Sequence, residues 1–150
     1  MKPLKHYLQE KLVIKKSNQY KYFPQSKLEL REIIENRIKD EGNEVDLNDI
    51  DVSNITDMSY LFSYINFNGD ISMWDVSNVT NMGYMFYDCK SFNKDISQWD
   101  VSKVTNMHGM FCGCDKFNKD ISNWDVSNVN KTTNMFAGCL IEGKYKPKFK

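Results

Sequence analysis

The chain is poor in the residues on which most catalytic sites depend. It has two histidines and seven glycines among 150 residues, and it contains no glycine-rich phosphate loop and no nucleophile elbow. Neither histidine is paired with a nucleophile in a recognised motif. We therefore expect no enzymatic activity and no cofactor.

Long apolar runs are also missing. A membrane-spanning helix needs about 18 or more consecutive apolar residues, and the sequence contains no such run. Residues 1–11 lack the apolar core, the small-residue cleavage site and the cysteine that mark exported or lipidated proteins. We therefore expect a cytoplasmic protein without a membrane span.

The cysteines do not form a recognisable metal site. Cys112 and Cys114 are separated by one residue, which is tighter than a Cys-x-x-Cys site, and only His6 and His108 could assist them. Three cysteines recur with a 25-residue spacing: Cys89, Cys114 and Cys139. We interpret these three as reduced, buried thiols that act as small apolar side chains.

Charge is balanced overall but unevenly distributed. Residues 1–27 carry a net charge of +6, residues 45–139 carry −6, and residues 140–150 carry +3. The balance gives no reason to expect nucleic acid as a direct ligand. An acidic centre between basic ends can steer a charged partner, although an ordinary solvated surface gives the same pattern.

One block of sequence dominates the chain, Asp-Val-Ser-Asn-Val-Thr-Asn-Met. It begins at Asp51, returns at Asp75 and Asp100, and fades from Asp125, so its starts are 24, 25 and 25 residues apart. Such a period is typical of a solenoid, in which each unit packs only on its neighbours. We predict a helical leader and cap over residues 1–44, repeats over 45–139 and a basic tail over 140–150, all in one folded unit.

Alignment of the repeats places apolar residues in eight columns, which begin at Leu47, Ile50, Val52, Ile55, Met58, Leu61, Phe62 and Phe67. The segment Ile-Ser-x-Trp-Asp-Val alternates apolar and polar residues, so it predicts a parallel strand at 71–76, 96–101 and 121–126. The Thr-Asn-Met-x-x-Met-Phe segment predicts a short helical turn with a threonine N-cap. The predicted fold class is an α/β repeat solenoid of about four ~25-residue rungs.

The polar columns have two interpretations. Asp70, Asp95 and Asp120 recur in register, and so do the serines that follow them. Short polar side chains bond to nearby backbone amides in turns, and stacked ones can bond along the solenoid axis. The alternative is a calcium or other cation site between rungs, although the glycine-rich pattern of calcium-binding β-rolls is missing.

Two helices are predicted before the repeats. An i, i+4 stripe follows Pro3 and consists of Leu4, Leu8 and Leu12. This basic amphipathic helix could pack on its own domain, stay partly disordered, dock on a partner or lie on an anionic membrane. The second helix has a capping box, Ser26 and Glu29, and ends at Gly42. Its apolar face consists of Leu30, Ile33, Ile34 and Ile38, and we expect it to cap the open end of the solenoid.

The string Ile-Ser-x-Trp-Asp-Val-Ser-x-Val-Thr-Asn-Met-x-x-Met-Phe resembles the repeat of the BspA-like leucine-rich-repeat family of bacterial proteins, over roughly residues 45–139. The resemblance implies a leucine-rich-repeat-type solenoid that binds other macromolecules, and some members are cell-surface adhesion proteins. This chain differs in its short length and in lacking an export signal. Short copies with a charged helical leader are similar to small proteins of bacteriophages and mobile elements.

These observations favour a non-catalytic module that binds a protein partner through its repeat surface. One alternative is a small phage- or mobile-element-borne inhibitor whose acidic body blocks a host nucleic-acid-handling defence enzyme. The other is a self-assembling or cell-surface adhesion repeat. The oligomeric state and the partner stay open.

We expect the binding surface where the repeats differ from one another while the core columns are kept. The strand positions of this kind are Met73, Gln98 and Asn123. The turn positions are Tyr60, Tyr84 and His108, where exposed aromatic rings are typical binding anchors. Asp95 and Asp120 would contribute if the acidic face makes the contact.

Overall fold

The computed structural model describes residues 19–150. The basic helix predicted after Pro3 lies outside this range, as does His6. The described elements are helix α1 (Lys27–Glu41), four stacked repeats between about residues 45 and 139, and a short 3-10 helix (Gly143–Tyr145). No helix in this part of the chain has the length and apolarity that crossing a bilayer requires.

Helix α1 has the boundaries that its capping residues predict. The Ser26 hydroxyl accepts the backbone N–H of Glu29 at 3.2 Å, while the Glu29 carboxylate accepts the N–H of Gln25 at 2.8 Å. These bonds satisfy amides that have no partner within the helix. Gly42 ends the helix with a φ of 93°, a left-handed value that favours glycine, and its N–H bonds to Ile38.

Helix α1 packs against the first repeat. Leu30 and Ile34 are fully buried in the shared core. On its polar side, Lys27 donates to Asp57 and Ser59, both at 2.9 Å. These contacts place the helix against the first repeat.

The repeats are joined by rows of backbone hydrogen bonds. Every second N–H in the segment 58–64 donates to the next repeat, and the intervening N–H groups close turns within their own repeat. The bonds of the first row are Met58 to Asn81, Tyr60 to Gly83, Phe62 to Met85 and Tyr64 to Tyr87, at 2.8–3.1 Å. Two further rows with the same register join the second repeat to the third and the third to the fourth.

The apolar columns form one continuous core, as the repeat alignment predicts. Phe62, Phe86 and Phe111 are fully buried, and their rings stack with centroids 5.3 and 5.5 Å apart. A second column, Phe67, Phe92 and Phe117, lies beside them. Each fully buried side chain of this size contributes about 1.5–3 kcal/mol before conformational entropy is subtracted.

The strand and the helical turn predicted for each repeat are both wrong, so the chain is not an α/β solenoid with one parallel strand per rung. The backbone of residues 19–150 forms no strand, and its pairings are isolated bridges such as Asn81 with Asn106. In the segment 71–76, the Asp70 carboxylate accepts the N–H of Ser72 at 2.9 Å. The N–H of Trp74 bonds back to Ile71 at 3.2 Å. These bonds fold the segment into turns.

Tryptophan side chains provide inter-repeat bonds in the region where a strand ladder was expected. The indole N–H groups of Trp74, Trp99 and Trp124 donate to the carbonyls of Leu47, Ile71 and Ile96 at 2.9, 3.1 and 3.2 Å. All three indoles are at least 95% buried. The alternating pattern of apolar and polar residues therefore reflects a sequence of turns with inward-facing tryptophans.

The cysteine prediction is confirmed for burial. Cys89 and Cys114 are fully buried and Cys139 is half-buried, and all four cysteines are free thiols. The Cys114 thiol donates to the carbonyl of Phe86 at 2.9 Å. Burial raises the pKa of Cys89 to about 11 and also raises the pKa of Cys114.

Candidate functional site

Five aromatic side chains form a patch on the surface of the first three repeats. This tyrosine patch consists of Tyr60, Tyr64, Tyr84, Tyr87 and His108. The rings of Tyr60 and Tyr84 stack at 4.9 Å, and the His108 ring lies 4.8 Å from Tyr84. Tyr87 makes edge contacts with Tyr64 at 5.1 Å and Tyr84 at 5.5 Å. Tyr60 is 49% and Tyr64 70% exposed, which is unusual for large aromatic residues in contact.

The backbone under the patch has an uncommon conformation. Each repeat has two left-handed positions, and the third repeat fills both with glycine, Gly109 and Gly113. The first repeat has Tyr60 and Tyr64 at these positions, with φ values of 60° and 61°. The second repeat has Tyr84 at the first of them, with a φ of 56°. A bulky residue in this region is strained, because its Cβ approaches the following carbonyl.

The third repeat makes room for the Tyr84 ring. A Cβ atom at Gly109 would lie 2.5 Å from that ring, so a side chain at this position would displace it. The His108 N–H, in turn, donates to the Asn106 side chain at 3.0 Å. The tyrosine column therefore ends at Gly109. The neighbouring His108 places an imidazole ring, in the place of a third tyrosine ring, against Tyr84.

A shallow groove of about 320 Å³ runs beside the stacked rings. Its lining consists of Ser59, Tyr60, Asn81, Gly83, Tyr84, Asn106, His108 and Lys131. The Asn106 amide donates to the Asn81 side chain at 2.9 Å, so these two side chains are held in place. The groove combines aromatic rings with amide, imidazole and ammonium groups that can bond to a polypeptide.

Basic residues of α1 lie at one border of the patch. Arg31 donates to the carbonyl of Tyr60 at 2.6 Å, which fixes the backbone under the first ring.

Two ionisable side chains near the patch have shifted pKa values. Burial acts to raise the pKa of Asp57, but hydrogen bonds from Ser59 and Lys27 outweigh this effect, and the pKa is lowered. A hydrogen bond with the Tyr64 side chain raises the pKa of Tyr87.

The predicted strand-side residues lie apart from the patch. Met73, Gln98 and Asn123 are exposed, and Met73 is 62% exposed. Met73 contributes to a second groove with Arg37 and Asp49, and this groove shares no lining residue with the first. The amide of Asn123 donates to the Ser97 carbonyl at 2.9 Å, which gives it a role in stacking the repeats.

The predicted acidic residues have a structural role. The carboxylates of Asp95 and Asp120 accept the N–H groups of Ser97 and Ser122 at 2.9 and 3.0 Å. Hydrogen bonds from the hydroxyl groups and backbone N–H groups of these serines lower the pKa of both aspartates. Residues 19–150 contain no cluster of histidine, cysteine and acidic side chains placed to hold a metal ion. The bonds between Asp95 and Ser97 and between Asp120 and Ser122 are those expected if the aspartates stabilise turns, which was the first interpretation of the polar columns.

Sequence reasoning found three members of the patch and missed Tyr64 and Tyr87. Their identity as tyrosines was visible, but the contact between them depends on the left-handed backbone at Tyr64. One signal was available: outside the eight apolar columns, the first two repeats each contain a pair of tyrosines, at 60 and 64 and at 84 and 87. Tyrosines beyond the core columns indicate a surface role.

A family described as "Mycoplasma protein of unknown function, DUF285" matches residues 29–145. Because this match covers most of the chain, the chain belongs to that family, which is related to the BspA-like repeat proteins. The comparisons with curated proteins and with solved structures found no match.

Proposed function

We propose that this member of the DUF285 family is a non-catalytic module that binds a protein partner through the tyrosine patch. The observation that carries the proposal is the presence of Tyr60, Tyr64 and Tyr84 at left-handed backbone positions. The third repeat has glycine at the equivalent positions, so the same backbone forms without an aromatic side chain there. Folding alone would favour glycine.

The energetic argument compares a local cost with a local gain. A non-glycine residue in the left-handed region costs about 1–2 kcal/mol. Contact between two aromatic rings returns about 0.5–1.5 kcal/mol, which roughly balances one such position. Since three tyrosines occupy such positions and two remain about half or more exposed, the fold gains little from them. Exposed tyrosines are enriched among the residues that dominate protein–protein binding energies.

The patch is also held in a fixed arrangement before any partner arrives. The N–H of Tyr60 donates to Gly83 at 3.1 Å, and that of Tyr84 donates to His108 at 2.8 Å. Stacking restricts the rotation of both rings, so a partner would pay little entropy to order them. The likeness of the repeat to BspA-like proteins, some of which are adhesion proteins, agrees with a binding role.

Glycine substitutions test this proposal without breaking the fold. The double variant Tyr60→Gly/Tyr84→Gly removes two rings at positions whose backbone suits glycine. The matched control, Met73→Ala/Gln98→Ala, removes exposed side chains outside the patch. Partners captured from a bacterial lysate by the parent chain, the patch variant and the control would be compared by quantitative mass spectrometry.

We expect at least one protein to be captured by the parent and the control but lost from the patch variant. With that protein purified, each removed tyrosine should weaken binding by about 1–2 kcal/mol, mainly through faster dissociation. Equal capture by all three chains would refute the patch. Loss of capture on Asp95→Asn/Asp120→Asn alone would place the interface on the acidic face.

A further inference from the structure

The fourth repeat presents a row of backbone donors without acceptors in the described part of the chain. In each earlier repeat the equivalent N–H groups bond to the carbonyls of the repeat that follows. In the fourth repeat the equivalent residues are Thr132, Asn134, Phe136 and Gly138, which we call the donor row. Within residues 19–150 none of their N–H groups has a hydrogen-bond acceptor, and all four residues are half-buried or exposed.

The surroundings of the donor row are basic and partly apolar. Lys131 is exposed immediately before the row, and the Lys146 ammonium lies 5.3 Å from the centre of the Phe136 ring. Phe136 ends the buried phenylalanine column, 5.8 Å from Phe111, and is only half-buried. Leu140 is 73% exposed. The edge thus combines hydrogen-bond donors, positive charge and uncovered apolar surface.

The molecule already pairs segments outside the repeats with its end repeats. At the first repeat, the Asp51 N–H bonds to the carbonyl of Tyr22 at 2.9 Å. At the fourth, the Ile121 N–H bonds to the carbonyl of Tyr145 at 3.0 Å. A backbone that follows no repeat pattern can therefore satisfy the donors of a repeat edge, as in β-augmentation.

We propose that the donor row binds an acidic segment of a partner protein through that segment's backbone carbonyls. Carboxylates of the segment would pair with Lys131 and Lys146, because opposite charges favour this orientation. A second copy of this chain fits less well. Its matching carbonyls, those of residues 57, 59, 61 and 63, lie in the first repeat, against which α1 already packs. There Lys27 donates to the side chains of Asp57 and Ser59, and Arg31 donates to the carbonyl of Tyr60.

Amide hydrogen exchange of the full chain tests the proposal. In the free protein, the four donor-row amides should exchange much faster than their equivalents in the third repeat, Met107, Gly109, Phe111 and Gly113, which are hydrogen-bonded. The probe is the peptide acetyl-Asp-Val-Asp-Val-Asp-Val-Asp-amide at millimolar concentration. It should slow exchange of the donor row and leave the third repeat unchanged. A peptide with lysine in place of aspartate should have no effect.

Charge variants identify the side chains involved. Lys131→Gln/Lys146→Gln should weaken peptide binding about fivefold at low salt, whereas the control Lys90→Gln/Lys103→Gln should not. The patch variant Tyr60→Gly/Tyr84→Gly should bind the peptide normally, which separates this surface from the tyrosine patch. Slow donor-row exchange in the free protein, or no response to millimolar peptide, would overturn the proposal. Protection that rises with protein concentration alone would assign the edge to a second copy and also overturn it.

Discussion

The ring of Tyr60 stacks on the ring of Tyr84, with centroids 4.9 Å apart and planes 14° apart. The two residues occupy equivalent left-handed positions in adjacent repeats. Stacking of the repeats thus carries the rings into register, and the repeat geometry builds an aromatic surface. The same geometry lets Gly109 of the third repeat accommodate the Tyr84 ring.

Replacement of Tyr64 tests the strain at these positions. Tyr64→Gly should be about 1 kcal/mol more stable than Tyr64→Ala, because alanine keeps the cost of the left-handed backbone and glycine does not. Both variants lose the ring, so its contacts cancel in the comparison. Urea unfolding measures the difference. If alanine were the more stable, the φ of 61° at this residue would carry no strain.

Trp99 tests the role of the indole N–H between repeats. Trp99→Phe keeps most of the buried ring but removes the indole donor 3.1 Å from the Ile71 carbonyl. That carbonyl still accepts the Trp74 N–H, so the lost bond should cost about 0.5–1.5 kcal/mol. Trp99→Ala should cost about 3–5 kcal/mol, because it also leaves a cavity. Chemical denaturation followed by circular dichroism measures both. A phenylalanine variant as stable as the parent would show that the hydrogen bond contributes nothing.

Acid should unfold the protein through the turn aspartates. Hydrogen bonds from the serine two residues later lower the pKa of Asp70, Asp95, Asp100, Asp120 and Asp125. A lowered pKa in the folded state stabilises the fold above the unfolded value of about 3.9, and this stabilisation is lost as the pH falls through the folded value. The free energy of unfolding should therefore drop steeply below about pH 4.

Asp100→Asn provides a control for this pH dependence. The asparagine oxygen can still accept the Ser102 N–H, now 3.0 Å from the carboxylate, but it cannot be protonated in this range. The variant should lose less stability on acidification than the parent. Identical pH profiles would mean that this turn does not contribute to acid unfolding.

The cysteines should differ in their reaction with iodoacetamide. Cys89 and Cys114 should react slowly in the folded protein, since both are fully buried and burial raises the pKa of each thiol. Cys112 is half-buried and should be modified first. Mass spectrometry of the digested protein gives the order. Early modification of Cys114 would contradict the packing of its column.

The sequence predicted the core more reliably than the backbone. Apolar residues at a fixed period identify an inward-facing column whatever the backbone does between them, so the burial of Phe86 and Val101 was predictable. The alternating pattern at 71–76 was read as a strand, because pleated strands and successive turns both turn alternate side chains inward. A strand and a series of turns are distinguished here only by two hydrogen bonds of the folded chain. The Ser72 N–H donates to the Asp70 carboxylate, and the Trp74 indole N–H donates to the Leu47 carbonyl.

The candidate site was only partly predictable for a related reason. Tyr60, Tyr84 and His108 were visible as variable positions, and the structure brings them together. The contribution of Tyr64 depends on a φ of 61°, which no local pattern predicts for tyrosine. The donor row was also hidden, because it depends on the direction in which successive repeats donate their hydrogen bonds.

Site-specific photo-crosslinking tests the binding role of the tyrosine patch most directly. A photoreactive phenylalanine in place of Tyr64, which is 70% exposed, leaves the rest of the patch intact, and the same residue in place of exposed Gln98 is the matched control. Irradiation in living cells should join the chain to a distinct protein from position 64 and not from position 98. Crosslinks of equal yield to the same proteins from both positions, or none from position 64, would contradict the account.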